Sequence, residues 1–296
     1  MSKYCPSGTC FTALHDPKRR INPKNNDIFV RVWVKWYYLL QFKNRIILVS
    51  KSQLKLITSL QQKKYREKTG LFVAEGPKVI AEFLKAGLHL EAFFTVEAQE
   101  QVAHLGSELL DKYQQVTSFE LQKMSFLKTA NTSLAVFHKP DVKKRNENGL
   151  IIVLDAVRDP GNLGTIIRLC DWFDVSQLMC SEDTTDCFNP KVVQATMGSL
   201  ARIDIRYVNL SAYLKNTELP VYGGVMDGES VYQSDLATEA IIVLGNEANG
   251  ISEEIQKFIK HPITIPQFGL KKDTESLNVA TATAVLLSEF KRTTEK

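Results

Sequence analysis

Asn162 and Arg168 stand in one short block, Asp159–Arg168 (DPGNLGTIIR), at the mouth of an expected helix. An amide there can accept or donate toward a ligand, and a guanidinium can grip a phosphate or steady developing negative charge. Two further blocks join small residues to polar side chains at the edge of an apolar run. In Leu244–Ser252 (LGNEANGIS), Glu247 sets a carboxylate between Gly245 and Gly250. In Ser276–Ala280 (SLNVA), Ser276 and Asn278 precede a helix rich in Ala and Val. Glycine lets a backbone approach a ligand closely while neighbouring polar groups face it.

Each block also has a plain structural account. Arg168 can close a salt bridge with Asp171 or Asp155. The second block can be a tight strand-to-helix turn, with Ser252 as N-cap and Glu253 and Glu254 in the first turn. The third can be a capped helix, which explains one polar residue better than a pair. A dinucleotide fingerprint does not fit: the first block has only G-x-x-G, with no third glycine and no acidic residue ending a matching second strand.

The elements that must position these residues follow from apolar patterning. Leu150–Leu154 is a continuous apolar run, suited to a parallel strand buried on both faces. Gln177–Cys180, Arg202–Val208, Val221–Val225, Ile241–Leu244 and Ile263–Ile265 read as further strands. Thr165–Phe173, Pro190–Met197, Ser211–Lys215, Glu253–Phe258 and Asn278–Phe290 read as the helices between them. The alternation predicts an α/β fold with a mostly parallel sheet and helices on both faces, ligands lying at the carboxyl ends of the strands. All three blocks fall at such ends.

Ahead of it, residues 49–140 read as a smaller α/β domain. Lys51–Lys68 places Leu54, Ile57 and Leu60 at helical spacing, and Gly70 stops that helix. Strands at Leu71–Ala74, Leu90–Val96 and Leu134–His138, a helix at Pro77–Lys85, a polar helix over Ala98–Tyr113, a short strand and a short helix near Phe119–Phe126 complete it. Residues 141–149 are the linker, and residues 150–296 the second domain.

The net charge is +4, yet residues 1–70 carry 15 Lys or Arg against 3 Asp or Glu. That asymmetry suggests an N-terminal face for a polyanion, with Lys63, Lys64 and Arg66 as candidates, or a solvated basic tail. Residues 1–48 are a basic extension without helical period. Within it Ile28–Leu40 is too short and too charged for a membrane span and reads as a strand or an extension. The five cysteines are odd in number and form no metal-ligand spacing, which fits a reducing cytoplasm and no metal site.

With these residues in view, Leu150–Phe290 resembles the SpoU (TrmH) family of RNA ribose 2′-O-methyltransferases, of the SPOUT class. Asn189–Leu200 (NPKVVQATMGSL) is similar to the family's intervening helix. Residues 51–140, with Lys64–Gly76 (KYREKTGLFVAEG), are similar to the ribosomal-protein-like substrate-binding domain often fused ahead of it. The resemblance implies a deep trefoil knot formed by threading the C-terminal helix through a loop. It implies S-adenosylmethionine bound at Leu244, Gly245, Ile265, Pro266 and Leu277, a homodimer with the catalytic site near the interface, and RNA, by family habit ribosomal, as substrate. It assigns catalysis to Arg168, which eases proton loss from the 2′-hydroxyl or stabilises its oxyanion, and positioning roles to Asn162, Glu247, Ser276 and Asn278. No metal is implied, because the sulfonium is already activated. Two features depart from the family pattern: Gln267–Glu275 is longer than its usual spacing, and Asp174 stands where glycine is common. Transfer RNA as substrate, or a non-catalytic RNA-binding or ribosome-assembly factor on the same fold, are the alternatives. Keeping all five polar residues together argues against the binding-only reading.

Overall fold

The structure, a computed structural model, describes residues 49–102, 107–140, 149–269 and 276–292. The expectations for residues 1–48, for linker residues 141–148 and for the loop at Lys271–Thr274 lie outside these residues.

Lys51–Lys68 forms two helices, α1 (Lys51–Ser59) and α2 (Lys63–Thr69), where the spacing predicts one. The break has a local cause. Arg66 Nη1 donates to the carbonyls of Leu60 and Gln61, at 2.7 and 2.8 Å, and so claims acceptors that a continuous helix would use. Gly70, in left-handed conformation, ends α2 as expected. Strand β1 (Leu71–Glu75) is buried along its length because both its faces are covered. Leu71 and Val73 join Ile57 and Leu60 in one apolar cluster, while Phe72 and Ala74 join residues of α3 (Pro77–Lys85) in another. Of the expected polar helix over Ala98–Tyr113, the described residues show α4 (Gln99–Val102) and α5 (Ser107–Asp111), while Tyr113 enters a strand and its hydroxyl donates to Glu97 O at 2.8 Å. With β2 (Leu90–Thr95), β3 (Tyr113–Gln115), α6 (Ser118–Met124) and β4 (Ser133–His138), the sheet runs β1-β4-β2-β3, and only β2 with β3 is parallel.

The second layer holds β5 (Leu150–Leu154), α7 (Pro160–Trp172), β6 (Gln177–Cys180), α8 (Pro190–Thr196), β7 (Asp204–Tyr207), α9 (Leu210–Lys215), β8 (Val221–Ser230), β9 (Ala240–Leu244), α10 (Glu253–Gln256), β10 (His261–Thr264) and α11 (Val279–Arg292). The sheet order is β10-β8-β9-β5-β6-β7, parallel at every pairing. Ile152 and Leu154 pack with α7, α8 and α11, and Ile151 and Val153 pack with α9 and α10. The chain builds outward from β5 through β6 to β7, then returns to the other side of β5. Strand order thus reverses beside β5, the position at which such sheets open a crevice for ligands. The cluster containing β1 and α3 continues without interruption into α7 and α8, bridged by Phe72 and Phe188 with ring centroids 4.9 Å apart.

Gly164, the second glycine of the Asp159–Arg168 block, permits a close approach, and that approach is between helices. A Cβ there would meet the Ala195 Cβ at 2.4 Å and the Val192 carbonyl at 3.2 Å. Among the described residues, no helix is long and apolar enough to cross a membrane, and no cluster of three or more His, Cys, Asp or Glu could hold a metal ion. Gly164→Ala should separate α7 from α8 and cost about 1–3 kcal/mol, read as a lower midpoint in urea unfolding.

Candidate active site

Three loops meet where β5, β9 and β10 end. Asp155, at the end of β5, is buried and its carboxylate accepts the Ser252 N–H at 2.8 Å, which ties the first loop to the second. Asn246 reinforces the tie through Nδ2 to Ala156 O at 2.8 Å. Asp159 then caps α7 by accepting the Asn162 N–H at 2.8 Å.

The side chains of the three blocks form one hydrogen-bonded chain. Asn278 Oδ1 accepts the N–H groups of Ala280 and Thr281, at 3.0 and 3.2 Å, and so caps α11. Its Nδ2 is left to donate, and it does so to Asn162 Oδ1 at 2.8 Å. Asn162 Nδ2 must then donate as well, and it reaches Glu247 Oε1 at 2.5 Å. Two amides and a carboxylate thereby link all three blocks, each with its orientation determined by the next.

Beside this chain lies a cavity of about 690 Å3, within the roughly 300–1,000 Å3 of small-molecule sites. It exists because the sheet opens. Pairing of β8 with β9 ends at Gly223, and β10 skips from Gly223 to Glu229 in its register with β8. Gly224, Val225 and Met226 leave the ladder and line the cavity instead. Sequence reasoning ended this strand at Val225 and missed these lining residues. The signal was present in the glycines at 223, 224 and 228, since glycine inside a strand marks a bulge or a close approach.

All five residues expected at a cofactor, Leu244, Gly245, Ile265, Pro266 and Leu277, line this cavity. So do Glu247 and Ser276, and Glu247 is the one charged side chain among the described lining residues. Asn162 is joined to it through its bond to Glu247, and Asn278 through its bond to Asn162. The walls suit a nucleoside: Leu244, Ile251, Ile263 and Leu286 are apolar, backbone polar groups at strand ends stand at the rim, and one carboxylate is at hand for a cationic group.

Arg168 lies apart. It is exposed on α7 and makes no ion pair among the described residues. Its two candidate structural partners are engaged elsewhere, Asp171 with Arg202 at 2.7 Å and Asp155 with Ser252. Six residues along a helix place it about 120° around the axis from Asn162, and it does not line the cavity.

Of the expected RNA-facing residues, Lys63 and Lys64 are exposed; Lys63 also pairs loosely with Glu67 at 3.8 Å. Arg66 is a correction. It is 2% exposed and its guanidinium is bound to Asp186 at 2.6 Å, so it faces protein and cannot reach a polyanion. A basic run on a short helix shows its charge in sequence, but not which side chain turns inward. Of the cysteines, Cys170, Cys180 and Cys187 are buried free thiols, and burial pushes the Cys187 thiol up to about 12.

A parallel sheet with a nucleoside-sized cavity at the ends of β8, β9 and β10, and a hydrogen-bonded polar chain from three loops beside it, is the arrangement of an α/β protein that binds a small molecule at its strand ends. Comparison with known proteins narrows it. Residues 149–288 match the SpoU rRNA methylase family, and residues 51–135 match the MRM3-like substrate-binding domain. The 23S rRNA (guanosine(2553)-2′-O)-methyltransferase RlmP of Bacillus subtilis is 30% identical over 235 residues, covering 77% of this chain and 91% of that protein. A TrmH-family protein from Porphyromonas gingivalis has 37% identity and a TM-score of 0.75, covering 83% of this chain and 99% of that one. The AdoMet-bound rRNA methyltransferase from Sinorhizobium meliloti has 27% identity and a TM-score of 0.74, covering 84% and 97%. The chain belongs to the SpoU (TrmH) family of RNA ribose 2′-O-methyltransferases, and S-adenosylmethionine is its methyl donor.

Gly245 is the residue on which the cavity wall turns. A Cβ there would fall 2.1 Å from the Gly250 carbonyl carbon, within the loop that carries Glu247. Gly245→Ala should weaken S-adenosylmethionine binding at least tenfold by calorimetry, since the loop must shift by far more than the few tenths of an ångström that packing allows.

Proposed function

We propose that this enzyme methylates a ribose 2′-hydroxyl in 23S-type ribosomal RNA. The observation that carries the reading is the side-chain chain Asn278–Asn162–Glu247 on the rim of the cavity that holds the five expected cofactor residues. When bound, S-adenosylmethionine supplies an activated methyl group. What the protein adds is geometry and charge. Asn162, Glu247, Ser276 and Asn278 hold the ribose edge at the rim, and the site is walled by apolar residues that exclude water. A ribose hydroxyl is a weak nucleophile, and Arg168 lowers the cost of its losing a proton by stabilising the oxyanion, with a substrate phosphate as aid. The target is ribosomal because the relative from Bacillus subtilis carries that name and the substrate-binding domain is of the same kind. Lys63 and Lys64 contribute phosphate contacts.

The position of Arg168 supports a homodimer. Arg168 and Trp172, one turn apart and both exposed, share a face of α7, and Trp172 is 84% exposed. A second copy on that face covers the indole and carries Arg168 toward a catalytic rim that it does not border within its own chain. The reading also includes the trefoil knot. Its support is that Leu277, Val279 and Leu286 line the same cavity as the loops after β9 and β10. The buried free thiols support residence in the reducing cytoplasm.

Arg168→Ala should lower methyl transfer to 23S rRNA fragments by roughly 10²–10³, the cost of removing an oxyanion stabiliser, while S-adenosylmethionine affinity stays within about twofold. Loss of cofactor binding in that variant would make Arg168 structural. Trp172→Glu should yield a monomer by light scattering with little transfer, because a charge would be buried in the interface. An active monomer would dismiss the dimer.

A further inference from the structure

Arg66 joins the two domains through a buried charge. Besides its bonds to Leu60 O and Gln61 O, it donates from Nε and Nη2 to Asp186 Oδ2, at 2.9 and 2.6 Å. Asp186 Oδ1 accepts the Phe188 N–H at 3.0 Å, so the carboxylate is held through both oxygens. The next residue back faces the other way. Thr185 donates its N–H to Val157 O at 3.0 Å and its hydroxyl to Arg158 O, while its carbonyl accepts from the Tyr207 hydroxyl at 2.6 Å. Ser181 and Thr184 tie the same turn, through Ala156 N–H to Ser181 Oγ at 2.9 Å and Thr184 Oγ1 to Leu154 O at 3.2 Å. Ala156 has φ of 56°, a left-handed conformation that persists only where surrounding bonds fix it. Val157 and Arg158 lead directly into Asp159, the cap that orients Asn162.

The segment Ser181–Phe188 is thus a bracket. One arm grips the substrate-binding domain by an ion pair, and the other grips the backbone that sets the catalytic rim. We propose that Asp186 and Thr185, with Arg66, are positioning residues that hold Asn162 in register with the substrate-binding domain. RNA captured by that domain then presents its ribose at a fixed distance from the rim. The inference rests on the reading of Asn162 as part of that rim.

Thr185→Val keeps the shape and loses the hydroxyl, while Thr185→Ser keeps the hydroxyl. Single-turnover methylation of an rRNA fragment should slow roughly tenfold in Thr185→Val, with RNA and S-adenosylmethionine affinities within about twofold, and Thr185→Ser should restore the rate. A wild-type rate in Thr185→Val, an equal loss in Thr185→Ser, or a fall in RNA affinity that accounts for the whole effect would overturn the proposal. The double variant Arg66→Met, Asp186→Leu replaces the ion pair with apolar groups and keeps the domains packed. It should lose kcat/KM for RNA while binding S-adenosylmethionine as before, and an unchanged kcat/KM would also count against the proposal. If the unsubstituted protein transfers no methyl to any rRNA fragment, the activity reading fails; if it does and both variants match it, only the positioning role fails.

Discussion

A side-chain amide can face either way, and at Asn278 two backbone N–H groups at the start of α11 make the choice. That choice propagates. It makes Asn278 a donor, Asn162 first an acceptor and then a donor, and Glu247 an acceptor. The three loops at the ends of β5, β9 and β10 are therefore held in one arrangement by bonds whose polarity cannot be reversed singly. The rim of the cavity, the cap of the C-terminal helix and the entry to α7 all depend on it.

The cavity itself comes from an interruption in an otherwise regular sheet. Strands buried on both faces leave little free volume, and the space appears where β8 departs from both neighbours after Gly223. Regular packing below that point and separation above it give a rigid floor with a polar rim. This division matches what methyl transfer asks of the protein: an apolar bed for a nucleoside and a few fixed polar groups at its edge.

Much of this was legible along the chain. The continuous run Leu150–Leu154 announced a strand covered on both faces, and strand–helix alternation announced the parallel sheet. The residues that the family resemblance assigned to the cofactor, Leu244, Gly245, Ile265, Pro266 and Leu277, all line one cavity. Other positions could not be read along the chain, for physical reasons. Gly164 spares room for α8, which its type alone does not tell, because helix packing and ligand approach ask for the same missing Cβ. Arg66 carries a charge that suggested an exposed contact, yet its partner Asp186 is 120 residues away and could not be inferred from spacing. The break between α1 and α2 follows from that same inward turn.

By itself the sequence determined which residue types gather at strand ends, because periodicity and local composition are set by neighbours a few residues apart, and the resemblance of its three blocks to the SpoU family supplied the chemistry of a ribose methyltransferase. Only the tertiary structure decided that Glu247, Asn162 and Asn278 form a single chain, that Arg66 faces inward, and that Arg168 does not line the cavity of its own domain. Those outcomes depend on side chains separated by 85 to 120 positions, whose meeting is fixed by sheet order and helix packing.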